Sequence, residues 1–307
     1  MGKLSRRDFA ALVGGAIVIP ALGAPSLLRA GTAPRVVVIG GGYSGATFCK
    51  YLRRAHSTVQ ISLVEPVNKF ISCVYSNEVV VGLNKLKNLT VNYDKLVANY
   101  GIVHFSTMAV SIDPVQHTVQ LQSGDILSYD KLVMAPGMTY RFDTIQGWSK
   151  KVAKQLPVAW HAGPETLALQ KNVAAMASGG TAIVSVPPLP YRCPPAPYER
   201  ASLLAWYFTQ HNPSAKVLVL DANESFAMQP LFEEGWANLY PGMVTRIPPS
   251  QGGAIQAVDA SAMTVTCGAG TFHGDLINII PPQKSGSLAE ATGLTDSTLW
   301  CPVEDQS

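Results

Sequence analysis

An α/β fold of two Rossmann-like dinucleotide-binding domains is what this sequence predicts, and three observations predict it. The β-branched run Arg35-Val36-Val37-Val38-Ile39 turns at once into Gly40-Gly41-Gly42-Tyr43-Ser44-Gly45, the GxGxxG spacing in its strand-to-helix setting. A second run of the same kind, Thr181 to Val186, starts another strand–helix–strand unit. In that unit Pro187-Pro188-Leu189-Pro190 stands where a glycine turn belongs, and proline has no N–H to offer a phosphate. The second domain therefore reads as a degenerate, NAD-like copy.

Composition sets the limits. The chain has 307 residues, 47% hydrophobic and 14% charged, enough for two ordinary domains with full cores. Of its 23 basic and 20 acidic residues, Lys3, Arg6, Arg7 and Arg29 against Asp8 lie in the first thirty, which leaves 19 of each sign for the rest. So even a balance excludes a nucleic-acid binder, which needs a basic face. Ser5-Arg6-Arg7-Asp8-Phe9-Ala10 followed by the apolar run Ala11 to Ala24 reads as a twin-arginine export signal, too short to span a membrane. Cleavage is expected near Leu28-Arg29-Ala30, and an uncleaved anchor shares the pattern. Export of a folded chain implies a prosthetic group inserted beforehand and a periplasmic destination where disulfides persist. The expected divisions are 1–30 for the signal, 31–147 for the first domain, 148–280 for the second, and 281–307 for a return towards the first.

In chain order, the strand at Arg35 opens the first domain. Gly40 permits the tight turn, Gly42 lets a pyrophosphate approach the backbone, and Gly45 lets the helix from Ala46 to Arg54 pack on the strand. A strand from Val59 to Val64 ends at Glu65, placed to accept hydrogen bonds from an adenosine ribose. Ile102 to Leu121 alternates around Asp113-Pro114, which predicts an antiparallel meander. Tyr129 to Gly137 is a strand ending in a tight turn. In the second half a helix is predicted from Pro164 to Met176, and a strand from Lys216 to Leu220 ends at Asp221. Met263, Val265 and Cys267 share one strand face, and Leu276 to Ile280 is expected to return towards the first domain.

Five cysteines need places. Cys49 and Cys267 sit among apolar neighbours and read as core. Cys193 lies in Pro190-Tyr191-Arg192-Cys193-Pro194-Pro195-Ala196-Pro197-Tyr198-Glu199-Arg200-Ala201, just ahead of a helix. A helix start with Arg192 and Arg200 nearby is expected to favour the thiolate, and Glu199 is close enough in sequence to trade a proton. A proline-rich loop around a structural cysteine has the same local pattern. Cys301 resembles Cys193 in setting: each precedes a proline in an irregular segment.

Four segments carry a resemblance. Cys193 to Ala201, Ser76-Asn77-Glu78-Val79, Ile279-Ile280-Pro281-Pro282-Gln283, and Gly293-Leu294-Thr295 with Trp300-Cys301-Pro302-Val303 resemble the flavoprotein subunit of flavocytochrome c sulfide dehydrogenase, from about Arg35 to Glu304. The turn at Ala135-Pro136-Gly137 likewise resembles the returning strand of flavin-dependent disulfide oxidoreductases. The resemblance implies FAD in the first domain, bound by Gly40, Gly42, Gly45, Glu65, Ala135 and Gly137. It implies covalent attachment through Cys73, although Ile71-Ser72-Cys73-Val74 also reads as a buried strand. It further implies a redox disulfide of Cys193 with Cys301, Glu199 as acid/base, and a c-type cytochrome subunit as partner. Hydrosulfide is then the substrate: it attacks the disulfide, leaves a persulfide and a thiolate, and the electrons pass to FAD. No Cys-x-x-Cys-His occurs in the chain, so the haem is expected on the partner.

The family pattern continues beyond Cys301 with a strand, a Gly-Asp segment and a C-terminal domain, and the chain is expected to lack that part. Two other readings stay open. A sulfide:quinone oxidoreductase shares fold and disulfide but delivers electrons to a membrane quinone, and a truncated, non-catalytic flavin-binding protein needs its cysteines for structure alone. An NAD(P)H-linked reductase is disfavoured by Pro187 to Pro190.

Overall fold

A computed structural model describes residues 33–303; the expected export signal over 1–30 and Glu304 lie outside the described residues. Strand β1 (Arg35–Ile39) leads through helix α1 (Tyr43–Ala55) to β2 (Gln60–Val64). An excursion follows: β3 (Lys69–Ile71), α2 (Ser76–Val80), β4 (Thr90–Asn92) and α3 (Asp94–Tyr100). Then β5 (Val103–Phe105) rejoins the sheet, β6 (Ala109–Asp113), β7 (Thr118–Leu121) and β8 (Ile126–Ser128) form an antiparallel meander, and β9 (Lys131–Met134) completes the sheet. Its order is β5-β2-β1-β9, all parallel. The sheet is covered on both faces, so Val36 to Ile39 are at most 6% exposed, and a continuous apolar run is what such a strand requires.

After the linking elements β10 (Met138–Tyr140), α4 (Val152–Gln155) and α5 (Pro164–Ala174), the second half repeats the first. Strand β11 (Thr181–Val186), helix α6 (Ala196–His211), β12 (Lys216–Asp221), α7 (Gln229–Leu239) and β13 (Val244–Ile247) precede a second meander. That meander is β14 (Ile255–Asp259), β15 (Thr264–Cys267) and β16 (Gly270–His273), and β17 (Leu276–Asn278) follows it. The sheet order β13-β12-β11-β17 matches the first, strand for strand. Even the irregularity in the meander recurs, between Ala109 and Ser111 and again between Ile255 and Ala257. Ile183, Val184 and Val186, buried along β11, each contribute about 1.5–3 kcal/mol, which anchors the strand that carries the Cys193 loop. Finally β18 (Gln283–Ser285) pairs antiparallel with β10, joining the halves, and α8 (Ser287–Ala291) follows.

Three local expectations change. Val103–Phe105 is not part of a meander: it lies parallel to β2, and the meander proper runs from Ala109 to Ser128. Ile102, 2% exposed, anchors this edge strand in the core, and the alternation that follows simply continued across the break. Leu276–Asn278 does not return to the first domain but completes the second sheet beside β11. The return is made by β18. Helix α1 begins at Tyr43, inside the glycine pattern, because its first N–H groups belong to the turn itself.

Candidate functional site

The first crevice is a glycine cradle at the carboxyl end of β1. Gly40 has φ +96°, and a Cβ there would lie 2.0 Å from the Ala135 carbonyl oxygen. At Gly45 a Cβ would meet the Gly40 oxygen at 1.8 Å, so α1 crosses the turn only because both residues are glycine. Gly42 differs: a Cβ there meets nothing nearer than Phe70 at 3.9 Å, which leaves open space over the backbone. Helix α1 has neither a side-chain cap nor an acid in its first turn, so its positive end is free to meet an anion. The Glu65 carboxylate accepts from Gly41 N at 2.7 Å and Val67 N at 3.2 Å, and no cation among the described residues pairs with it. Open cradle, uncapped helix and half-buried acid fit a dinucleotide. Gly137, at φ +72°, turns the chain after β9 and accepts from Gly286 N at 2.9 Å.

The equivalent crevice in the second half is filled. Asp221 occupies the position of Glu65 but is 0% exposed, accepting from Tyr198 Oη at 2.8 Å and from Arg246 Nε at 2.7 Å. Tyr198 stacks on Phe226. Asn223 donates to the Pro187 carbonyl at 2.9 Å and accepts from Leu189 N at 3.0 Å, pinning the proline loop across the strand ends.

That loop delivers Cys193 to a cavity of about 210 Å³ lined by Cys73, Asn77, Trp160, Arg192, Glu199 and Arg200 among others. The two cysteines enter it by matching turns. Cys73 stands three residues before α2 and its carbonyl accepts from Ser76 N at 3.0 Å; Cys193 stands three before α6 and accepts from Ala196 N at 3.0 Å. Cys73 thus lies past the end of β3, not within a buried strand, and its thiol is half-buried and free. Tyr43, the first residue of α1, hydrogen-bonds through its hydroxyl to Ser72, so the glycine cradle runs on to the Cys73 loop.

Cys193 departs from expectation in its ionisation. Its thiol is solvent-reachable, yet it is pushed up, by burial of its surroundings first, then by Glu199 and Cys73; the Ala196 N–H and Arg192 pull the other way by less. The arginines are engaged elsewhere. Arg192 donates through Nη2 to the Trp160 carbonyl. Arg200, 1% exposed, spends its guanidinium on Asn77 Oδ1, Asn278 Oδ1 and the carbonyls of Val158 and Ala159, all at 2.7–2.9 Å. Burial brings that guanidinium down to about 10. Burial and the nearby Arg192 charge likewise hold His161 down at about 4.

Cys301 lies outside this cavity, its sulfur 3.6 Å from Ser285 Oγ, and all five cysteines are free thiols. The two segments nevertheless dock on one short strand. Arg192 N donates to Gln283 Oε1 at 3.0 Å, and Gln283 and Ser285 are the two buried residues of β18, about 7 Å apart on one face. Cys49 and Cys267 are core, 0% and 4% exposed, and burial pushes the Cys49 thiol up to about 12. Sequence reasoning missed Trp160 and Asn278, which carry no local signal, and it quoted Asn77 without giving it a role.

Two family models match the chain. Residues 166–281 match the central part of the sulfide dehydrogenase [flavocytochrome c] flavoprotein chain, and residues 34–175 match pyridine nucleotide-disulphide oxidoreductase. A sulfide dehydrogenase [flavocytochrome c] flavoprotein chain from Chlorobaculum thiosulfatiphilum is 49% identical over 45 residues, which cover 94% of that protein and 15% of this chain. The chain belongs to the sulfide dehydrogenase and sulfide:quinone oxidoreductase family of flavoproteins. Mouse mitochondrial sulfide:quinone oxidoreductase is 20% identical over 284 residues, which are 89% of this chain and 62% of that relative. The crystal structure of the sulfide:quinone oxidoreductase from Aquifex aeolicus superposes with a TM-score of 0.73 at 19% identity, over 87% of this chain and 63% of that one, a likeness of fold. The chain thus spans less than two thirds of these two longer relatives. The double Rossmann-like architecture agrees with the family.

Proposed function

We propose that this flavoprotein oxidises sulfide at Cys193, with FAD as electron acceptor and a c-type cytochrome as the next carrier. The observation that carries the reading is the shared cavity, into which Cys73, Cys193 and Glu199 all open. Gly40, Gly42, Gly45 and Glu65 hold the dinucleotide portion, Ala135 and Gly137 shape the turn beside it, and Cys73 is the point of covalent attachment. Bound FAD supplies two-electron acceptance from sulfur and one-electron release to the cytochrome.

The protein's own part is sulfur chemistry. In the oxidised protein Cys193 is bonded to Cys301, a closure that brings together the two segments docked on β18. Hydrosulfide attacks one sulfur, the S–S bond breaks, and the products are a persulfide on one cysteine and a thiolate on the other; the incoming sulfur is oxidised and the released one reduced. Glu199 carries the proton to and from the sulfur at the cavity mouth. The twin-arginine segment takes the loaded protein to the periplasm.

A quinone acceptor is the second reading, supported by the sulfide:quinone oxidoreductases among the chain's sequence relatives. No helix among the described residues is long and apolar enough to cross a membrane. The test uses purified holoprotein. Yellow colour retained in an acid-precipitated pellet, and lost in Cys73→Ala, supports the covalent link. Sulfide should bleach the flavin in the wild type and not in Cys193→Ser. Unchanged bleaching in that variant removes the mechanism, and unchanged bleaching in Cys301→Ser assigns the second sulfur elsewhere.

A further inference from the structure

Glu199 is exposed at the cavity mouth, and a long exposed side chain does not hold one position by itself. One side-chain contact holds it: Asn77 Nδ2 donates to Glu199 Oε2 at 2.5 Å, and the same nitrogen reaches the Ala196 carbonyl at 3.1 Å. The other end of that amide is fixed as well, because Asn77 Oδ1 accepts from Arg200 Nε at 2.9 Å. Arg200 is buried with no carboxylate among the described residues bonded to it, and its remaining N–H groups go to neutral oxygens of Val158, Ala159 and Asn278. The amide of Asn77, 5% exposed, therefore has its oxygen against a cation and its nitrogen against an anion, which sets its orientation.

The placement of these contacts matters as much as their strength. Asn77 is four residues after Cys73, at the start of α2, while Ala196 and Glu199 begin α6, just after Cys193. One side chain thus ties the two cysteine-bearing turns together across the cavity. We propose that Asn77 is a positioning residue for sulfur chemistry: it holds the Glu199 carboxylate over Cys193 and fixes the spacing of the Cys73 and Cys193 turns. This deepens the function proposed above, since it rests on Glu199 acting at Cys193.

The charged and titratable groups around the Cys193 thiol are Glu199 and Arg200 on α6, Arg192 and Tyr191 on its own loop, and Cys73 from the α2 turn, which no longer titrates once it carries the flavin. Glu199 opposes ionisation of the thiol. Releasing that carboxylate to solvent therefore makes the thiolate easier to form, whether by Glu199→Gln or by removing the amide that holds it.

The experiment is iodoacetamide alkylation of the reduced full-length holoprotein across pH, with Cys193 and Cys301 quantified separately by mass spectrometry. In Asn77→Leu the Cys193 profile should move to lower pH, giving about threefold faster labelling at pH 7.5. Glu199→Gln should move it the same way, and the double variant should move no further, because both substitutions remove one interaction. Cys301 should label alike in all of them. Should Asn77→Leu fail to fold with Arg200 left short of an acceptor, Asn77→Ser, which leaves room for water there, carries the same expectation. A variant profile that overlays the wild type, or shifts that add in full in the double variant, overturns the proposal. Labelling requires no sulfide, so failure of sulfide to bleach the flavin would defeat the proposed function and leave this result intact.

Discussion

The two crevices at the carboxyl ends of β1 and β11 come from the same topology and have opposite fates. In the first, backbone and glycine leave a space, and the Glu65 carboxylate accepts from the Gly41 and Val67 N–H groups. In the second, side chains fill the space, and Asp221 is consumed by Tyr198 and Arg246. An acid at the same strand end thus has backbone N–H partners in one copy and is a structural counter-ion in the other. The difference lies in the loop between strand and helix. A short glycine turn aims helix N–H groups at a ligand, whereas Pro187 to Pro195 offers few donors and carries a thiol instead.

The comparison can be broken at four points. The largest effect is expected from Gly45→Ala, whose methyl would strike the Gly40 carbonyl at 1.8 Å: purified protein should be colourless and destabilised by about 3 kcal/mol in urea unfolding. A yellow, stable variant would mean that the cradle is not built as described. Next comes Asp221→Asn, which leaves Arg246 without its buried counter-charge; unfolding should show a loss of about 3 kcal/mol while flavin content per folded molecule is unchanged. Flavin loss there would erase the distinction between the copies. Glu65→Gln should behave in the opposite sense, folding normally but binding FAD about tenfold more weakly, measured by fluorescence titration in a Cys73→Ala background so that no covalent link hides the change. The smallest effect belongs to Pro187→Gly with Pro188→Gly. NADH titration should still detect no binding, because Tyr198 and Asn223 continue to occupy the crevice.

Much of this was legible in the residues. The β-branched runs, the glycine spacing and the acids at Glu65 and Asp221 are local patterns, and local patterns specify strands, turns and their order. The duplication extends further than periodicity showed. The second meander was seen only as one strand at Met263 to Cys267, because its neighbours Ile255–Asp259 and Gly270–His273 are half exposed and alternate weakly. The edge strand at Val103 was merged into the first meander for a similar reason: three residues are too few to show a period.

The candidate site was legible in part. Cys73, Cys193 and Glu199 line one cavity, while Cys301, which the family resemblance pairs with Cys193, lies outside it. The ionisation of Cys193 was not legible, because sequence shows that Arg192 and Arg200 are near but not where they point. Both guanidiniums turn to other acceptors, and the groups that remain around the sulfur push it up. Nor does the order of residues show that Asn77 reaches Glu199 across more than a hundred positions. The sequence by itself determined two dinucleotide folds, one with a glycine turn and one with a proline loop in its place, because chain-local geometry decides where glycine is needed and where proline forbids a donor. Only the tertiary structure decided which charges face which sulfur, because burial and the competition among hydrogen-bond acceptors are settled by packing between elements far apart in the chain.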